Sequence, residues 1–301
     1  MRLAPRMPRR ALVLFALLAA PAVIAQQADT ATKKSNPLHV FSDTAKRYGL
    51  VPQHFTISVG GFLPNIASRA QLSTPSQGGT DIDLENRLGL KSNLQSLDLQ
   101  AAVRLGKRQL ITLGYFGIKR SASRTLNDSI VFGDSVYHAG AKIDASSRFY
   151  YYGATYRYYF FKDPRWDLGA GLGIDAFNIN ASLGVRASGG GGGGSFSDSV
   201  QKSGGFTAPS AMLGLYGDWE FAPRFFFRGQ LQYLYINSVA SYGGALTDDR
   251  LAVDWFPFLN YGFGVMYHYV GLRITKTFDN SDQLTFKYYI QGPAIYFTAA
   301  F

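Results

Sequence analysis

Cysteine is absent from the 301 residues, which removes disulfides and thiolate metal sites from consideration. Histidine is scarce, at four residues, so imidazole chemistry has few places to reside. Beyond residue 25 no apolar run approaches the roughly 20 residues of a membrane-spanning helix. With a mean hydropathy of −0.04, a helical membrane protein is excluded. Charge of one sign is also weak: the formal net charge of +10 includes four leader arginines, and the modestly basic remainder does not argue for nucleic acid.

The leader itself is informative. Arg2, Arg6, Arg9 and Arg10 form a basic start, Ala11 to Ala20 is a short apolar stretch, and Val23-Ile24-Ala25 places small residues where a signal peptidase reads. Residues 1–25 are expected to be a signal peptide cleaved after Ala25.

What fills the rest is alternation. Leu97, Leu99, Ala101, Val103 and Leu105 oppose Ser96, Asp98, Gln100 and Arg104. Ala211, Leu213, Leu215, Trp219 and Phe221 oppose Ser210, Tyr216, Asp218 and Glu220, and Phe225, Phe227, Leu231, Tyr233 and Tyr235 oppose Arg228, Gln230 and Gln232. Side chains on a strand alternate between its faces, so one face is apolar and the other polar. A soluble sandwich also alternates, but its core face would be rich in Leu and Val, whereas this one carries Tyr and Trp. The 15% aromatic content and 33 glycines favour a barrel with lipid outside and polar groups inside.

Turn signals divide these strands. Tight turns are expected at residues 106–108, 162–165, 222–224 and 256–260, where Gly and Pro end the ladder. All three Trp lie beside them. Phe160 leads to Trp166, Trp219 and Phe221 lead to Phe225, and Trp255 leads to Phe258. Such rings gather at headgroup depth, so an aromatic girdle at one barrel end is expected. Longer polar segments at 65–93, 127–141, 188–205, 242–249 and 279–283 are read as loops at the other end. The strand count is ten, near 55–64, 94–105, 109–124, 142–161, 166–187, 206–221, 225–241, 247–256, 261–278 and 284–301, with eight or twelve as alternatives. The first strand has a possible continuation through Ile66 to Leu72. In the strand from Trp166 the apolar parity switches after Ile174 to Phe177, Ile179, Ala181, Leu183 and Val185, and comparable switches fall near Val270 and Pro293. A bulge or ladder gap is expected there, where the strands leave the membrane.

The last eleven residues end on Phe301 with Ile295 and Phe297 on its face. This ending resembles the C-terminal strand of Gram-negative outer-membrane β-barrel proteins. The resemblance implies a closed antiparallel up-and-down transmembrane β-barrel over 54–301, a periplasmic leader over 26–53, and an outer-membrane address. It further implies contact with outer-membrane lipid and lipopolysaccharide, and with the barrel-assembly machinery during insertion. Phe301 joins the girdle.

The expected inward face carries Asp98, Arg104, Arg157, Asp167, Asp175, Asp218, Glu220, Arg228 and Asp254. Mixed charge inside a narrow barrel is read as an ion-pair network filling the lumen; lining a conduction path is the alternative. Enzymatic barrels of this architecture use Asp/His or Ser/His sets. Only Asp81-x-Asp83 with His138 comes near such a set, and loop acids are usually just solvated. The glycine run at 189–194 lacks the Gly-Lys-Ser/Thr ending of a phosphate loop. Asp248-Asp249 and Asp279-Asn280-Ser281-Asp282 lack the ligand count of a calcium loop. Lys119, Arg120, Arg124, Lys142, Arg148, Arg186, Arg273 and Lys276 are read as outer basic residues that face lipid phosphate or simply water. No cofactor, metal site or catalytic set is expected. The function expected is structural or surface-interactive, with a narrow solute channel as the alternative and a surface hydrolase as the next.

Overall fold

The computed structural model describes residues 54–301 except 76–78, 80, 133–134, 138, 190–195, 240, 259 and 280. The expected signal peptide over 1–25 and the expected leader over 26–53 lie outside the described residues. The strands are β1 (Phe55–Phe62), β2 (Asn65–Ser73), β3 (Ile82–Asp83), β4 (Ser96–Leu105), β5 (Gln109–Thr125), β6 (Ile130–Phe132), β7 (Ser135–Tyr137), β8 (Lys142–Lys162), β9 (Trp166–Gly189), β10 (Phe196–Ala222), β11 (Phe225–Val239), β12 (Tyr242–Trp255), β13 (Tyr261–Thr277) and β14 (Gln283–Ala300).

Neighbours pair antiparallel around a ring that closes where β1 meets β14. β1 and β2 act as one wall strand, because Phe62 faces Ala294 and Asn65 faces Gln291 in the same register. The first strand therefore continues through Ile66 to Leu72, and the wall has ten strands. β3 adds to β2 above the ring, and β6 with β7 forms a separate hairpin. Closure of β1 between β14 and β4 pairs the strands of the belt on both sides, which a bilayer requires.

Outward residues form an apolar belt of a kind that a water-exposed surface does not sustain. Leu213, Ile174 and Ile295 are 69%, 67% and 64% exposed, around a full circumference rather than in one patch. At the lower end the expected girdle residues all point outward: Phe160, Trp166, Trp219, Phe221, Phe225, Trp255, Phe258 and Phe301 are exposed. Their rings touch in series. Phe161 stacks on Trp166 at 4.2 Å, and Trp219, Phe221, Phe225, Trp255 and Phe263 follow one another at 5.8 to 6.4 Å between centroids. The register slip at Tyr159 and Phe161 brings Phe160 and Phe161 both outward.

Above the belt the polarity inverts without any change of side. Along β9 the odd residues face inward from Asp167 through Asp175 to Phe177 and Ile179, and pairing with β8 and β10 runs unbroken through Ile174 and Phe177. The bulge expected there is absent. The apolar parity switch has another cause: Asn178 and Asn180 now face water outside, so the inside becomes the apolar core of an extramembrane barrel. β13 is likewise continuous past Val270. At Pro293 the ladder with β13 is unbroken; on the other side pairing pauses between Phe62 and Asn65, where Leu63 N–H donates to Pro293 O at 2.9 Å.

Two expected loops are strands instead. β10 begins at Phe196 and pairs with Gly189, so most of 188–205 belongs to the wall. β12 begins at Tyr242, opposite Val239, so 242–249 is wall as well. Gly-rich composition suggested turns at both places, whereas long cross-strand pairing supplies the order that local propensity does not.

The segment after β3 folds back into the upper mouth. Leu84, Leu88 and Leu90, with Ile82 and Leu126, are buried in the same core as Ile66, Ile118 and Ile143. A buried ion pair holds it: Arg120 pairs with Glu85 and donates to Ser68 Oγ at 2.8 Å, while Glu85 accepts from Ser68 N–H at 2.8 Å. Arg120, expected among the outer basic residues, is therefore inside the barrel. Its even parity on β5 matches Phe116 and Ile118.

Candidate functional site: a layered lumen

Inward positions are set by the two-residue period of each wall strand. The interior stacks into four layers. In the lowest, Lys162 Nζ donates to Asp167 at 2.5 Å, and Arg104 lies over the Tyr159 ring at 5.6 Å.

The second layer centres on Arg228, whose Nε lies 2.9 Å from Asp254 and 3.9 Å from Asp218. Each carboxylate also accepts from a tyrosine: Tyr296 bonds Asp254 at 2.5 Å and Tyr159 bonds Asp218 at 2.7 Å. Gly264 makes this possible. A Cβ there would come within 2.4 Å of Asp254 and 2.2 Å of the Tyr296 ring. Just above is a cavity of about 90 Å³ bordered by Arg157, Arg228, Arg250, Gln230, Thr112 and Tyr159, among others.

In the third layer Asp248 is wholly buried and held by Arg250 through two hydrogen bonds of 3.0 Å each. His268, also wholly buried, lies 3.1 Å from the same carboxylate. Arg250 reaches Tyr151 Oη at 3.3 Å, and Tyr151 donates to Asp175 at 3.0 Å. Four strands, β8, β9, β12 and β13, are thus tied across the lumen. The fourth layer is apolar: Phe62 and Phe116 pack against His268, and Phe116, Phe149, Phe177 and Tyr288 pack ring against ring at 5.1 to 5.9 Å through Tyr151. The folded-in segment covers it.

All nine expected lumen charges lie on the inner face. The structure brings together Asp218, Arg228 and Asp254. Arg157 binds Gln230 and stacks on Tyr216 at 4.2 Å rather than pairing with an acid. Asp98 accepts from Gln100 at 2.9 Å. Glu220 accepts from the Arg224 N–H at 3.2 Å. Sequence reasoning missed the buried group of Asp248, Arg250 and His268, weighing Asp248 only beside Asp249 as a cation ligand. Parity was the available signal, since Asp248 and Arg250 continue the even, inward face of Ala252 and Asp254.

The loop acids have structural partners. Asp81 lies 3.1 Å from Lys287 and 3.7 Å from Arg69. Asp83 accepts from Asn86 N–H at 2.7 Å and Nδ2 at 2.9 Å, fixing the turn that follows β3. His138 lies outside the described residues. Among the described residues no group of three or more His, Asp or Glu is arranged to hold a metal ion.

No protein-family model matches the chain, and no curated protein matches it in sequence. Among solved structures it is similar to the outer-membrane protease OmpT of Escherichia coli, at 9% identity and a TM-score of 0.54, over 82% of this chain and 96% of that one. Looser matches are the toluene transporter TodX of Pseudomonas putida (7% identity, 86% of this chain and 94% of that one, TM-score 0.34) and the attachment invasion locus protein Ail of Yersinia pestis (10%, 81% and 97%, TM-score 0.27). At those scores only the OmpT likeness bears on the fold. With a closed ten-strand ring, an apolar outer belt and an aromatic girdle already established, the chain has the closed antiparallel β-barrel fold that the outer-membrane protease OmpT shows.

Proposed function

We propose that the protein is an exported, integral outer-membrane barrel with a structural or surface-interaction role, closed to solute passage. One observation carries this reading. Above the polar layers the cross-section is filled by Phe62, Phe116, Phe149, Phe177 and Tyr288, each 1% exposed or less, and the folded-in leucines cover them. A conducting pore needs a continuous water path, whereas packed aromatics leave none.

The outer rim supports an interaction with anionic lipid headgroups such as those of lipopolysaccharide. Arg273, Lys287 and Arg69 are direct cross-strand neighbours on β13, β14 and β2, and Lys119 neighbours Arg148 on β5 and β8. Like charges side by side on one face repel. Asp81 offsets one of these rows in part; lipid phosphate at that height offsets the remainder.

Planar-bilayer recording tests the closed lumen. The refolded barrel is expected to show no conductance steps, and reproducible single-channel steps from the wild-type chain would overturn the reading.

A further inference from the structure

We propose that the cavity between Arg228 and Arg250 is a binding chamber for a small oxyanion, inorganic phosphate or a short carboxylate. The inference stands apart from the closed-lumen reading, since conductance tests the roof and anion binding tests the chamber.

Unmet hydrogen-bonding capacity, not net charge, identifies the ligand. Two guanidinium groups bordering the cavity keep buried N–H groups without a protein partner: Arg157 at Nε and Arg228 at Nη2. Arg104, one layer below, has two more. Among the described residues the comparably unbonded acceptors near the cavity are Asp254 Oδ2, which is the ion-pair partner of Arg228 Nε, and Asp175 Oδ2 in the Tyr151 layer. Donors are therefore in surplus, although the lumen as a whole is rich in Asp. Buried polar groups in native proteins find partners, so a surplus of donors calls for an acceptor.

Arg157 is the best placed. It has no carboxylate within ion-pair distance among the described residues; it donates to Gln230 Oε1 at 2.7 Å and reaches Thr112 Oγ1 at 3.5 Å. Stacking on Tyr216 fixes its plane, and a fixed planar fork suits the bidentate capture of two oxygens. The Thr56 and Thr112 hydroxyls, also bordering the cavity, offer additional donors. At about 90 Å³ the chamber exceeds the roughly 10–15 Å³ needed for a single water, and has room for a four-oxygen anion.

The test uses the refolded wild-type barrel in detergent micelles, titrated separately with phosphate, acetate and chloride while the arginine Nε–H resonances are followed by NMR. Saturable shifts of the Arg157 and Arg228 signals are expected with phosphate or acetate and not with chloride at equal ionic strength. The choice between phosphate and acetate assigns the ligand class. Arg157→Gln is expected to weaken binding about tenfold or more, the loss of one charge-assisted contact. If that variant does not refold, Thr112→Val serves, with a smaller drop expected. Absence of saturable shifts in the wild type, equal response to chloride, or unchanged affinity in a folded variant would each overturn the proposal.

Discussion

Arg250 and Asp248 sit two residues apart on β12, on the same inward face, and meet through paired 3.0 Å hydrogen bonds in a layer where Asp248 has no exposure. A carboxylate so placed depends on its partner. Arg250→Met is expected to destabilise the barrel by about 3–5 kcal/mol, the usual cost of stranding a buried charge. The double variant Asp248→Leu, Arg250→Met should lose much less, because no ion is left unpaired. Urea unfolding in lipid vesicles measures both, and equal losses would remove the ion pair from the explanation.

The covering segment is expected to depend on Glu85. Replacing it in Glu85→Ala leaves Arg120 buried without its acid, which again costs about 3–5 kcal/mol, concentrated where the segment meets the wall. Limited proteolysis should then cut within residues 74–95 while the barrel keeps its heat-modifiable migration. Unchanged resistance would show that the buried leucines hold the segment by themselves.

Gly264→Ala probes the Arg228 layer. The added methyl would meet Tyr296 and Asp254 at 2.2 and 2.4 Å, and relief requires moving a tyrosine held in a packed interior. A loss of about 1–3 kcal/mol is expected from such overpacking. Gly61 makes the control, since a Cβ there meets nothing within 4 Å. Similar melting temperatures for Gly61→Ala and Gly264→Ala would contradict the close fit described.

Phe301 closes the ring with Phe55: each backbone N–H donates to the other's carbonyl, at 2.7 and 3.0 Å. Deleting Phe301 removes the final rung of the β1–β14 seam together with a girdle ring. The fraction reaching the heat-modifiable form should fall, and a gel-shift assay showing wild-type yields would reject this.

Wall strands could be read from sequence wherever the outside is lipid. Leu97 to Leu105 and Phe225 to Tyr235 advertise a strand because bilayer and lumen impose opposite demands on successive residues. That signal fades above the belt. At Phe177 and Ile179 apolar residues simply change from the outer to the inner set, which on sequence alone looks like a slipped register. Around Gly243 and Gly244, small residues followed by adjacent acids imitate a turn, and nothing near His268 in the sequence announces a companion. The meeting of Asp248 with His268 depends on β12 and β13 lying side by side, with Arg250 opposite His268, a relationship between positions 18 residues apart that no local pattern encodes. The folded-in leucines were hidden for the same reason: Leu84, Leu88 and Leu90 read as part of a polar loop until the barrel mouth supplies something to bury them against.

The inversion of polarity along each wall strand also gives the molecule a waterline. One residue of strand rises about 3.3 Å, so sinking by two residues would carry Arg273, Lys287, Lys119 and Arg148 toward hydrocarbon, while rising by two would lift Leu213 and Ile174 toward water. Either displacement is opposed around much of the circumference. The barrel therefore floats at one draught, and any partner that meets its upper rim finds that rim at a constant height above the membrane.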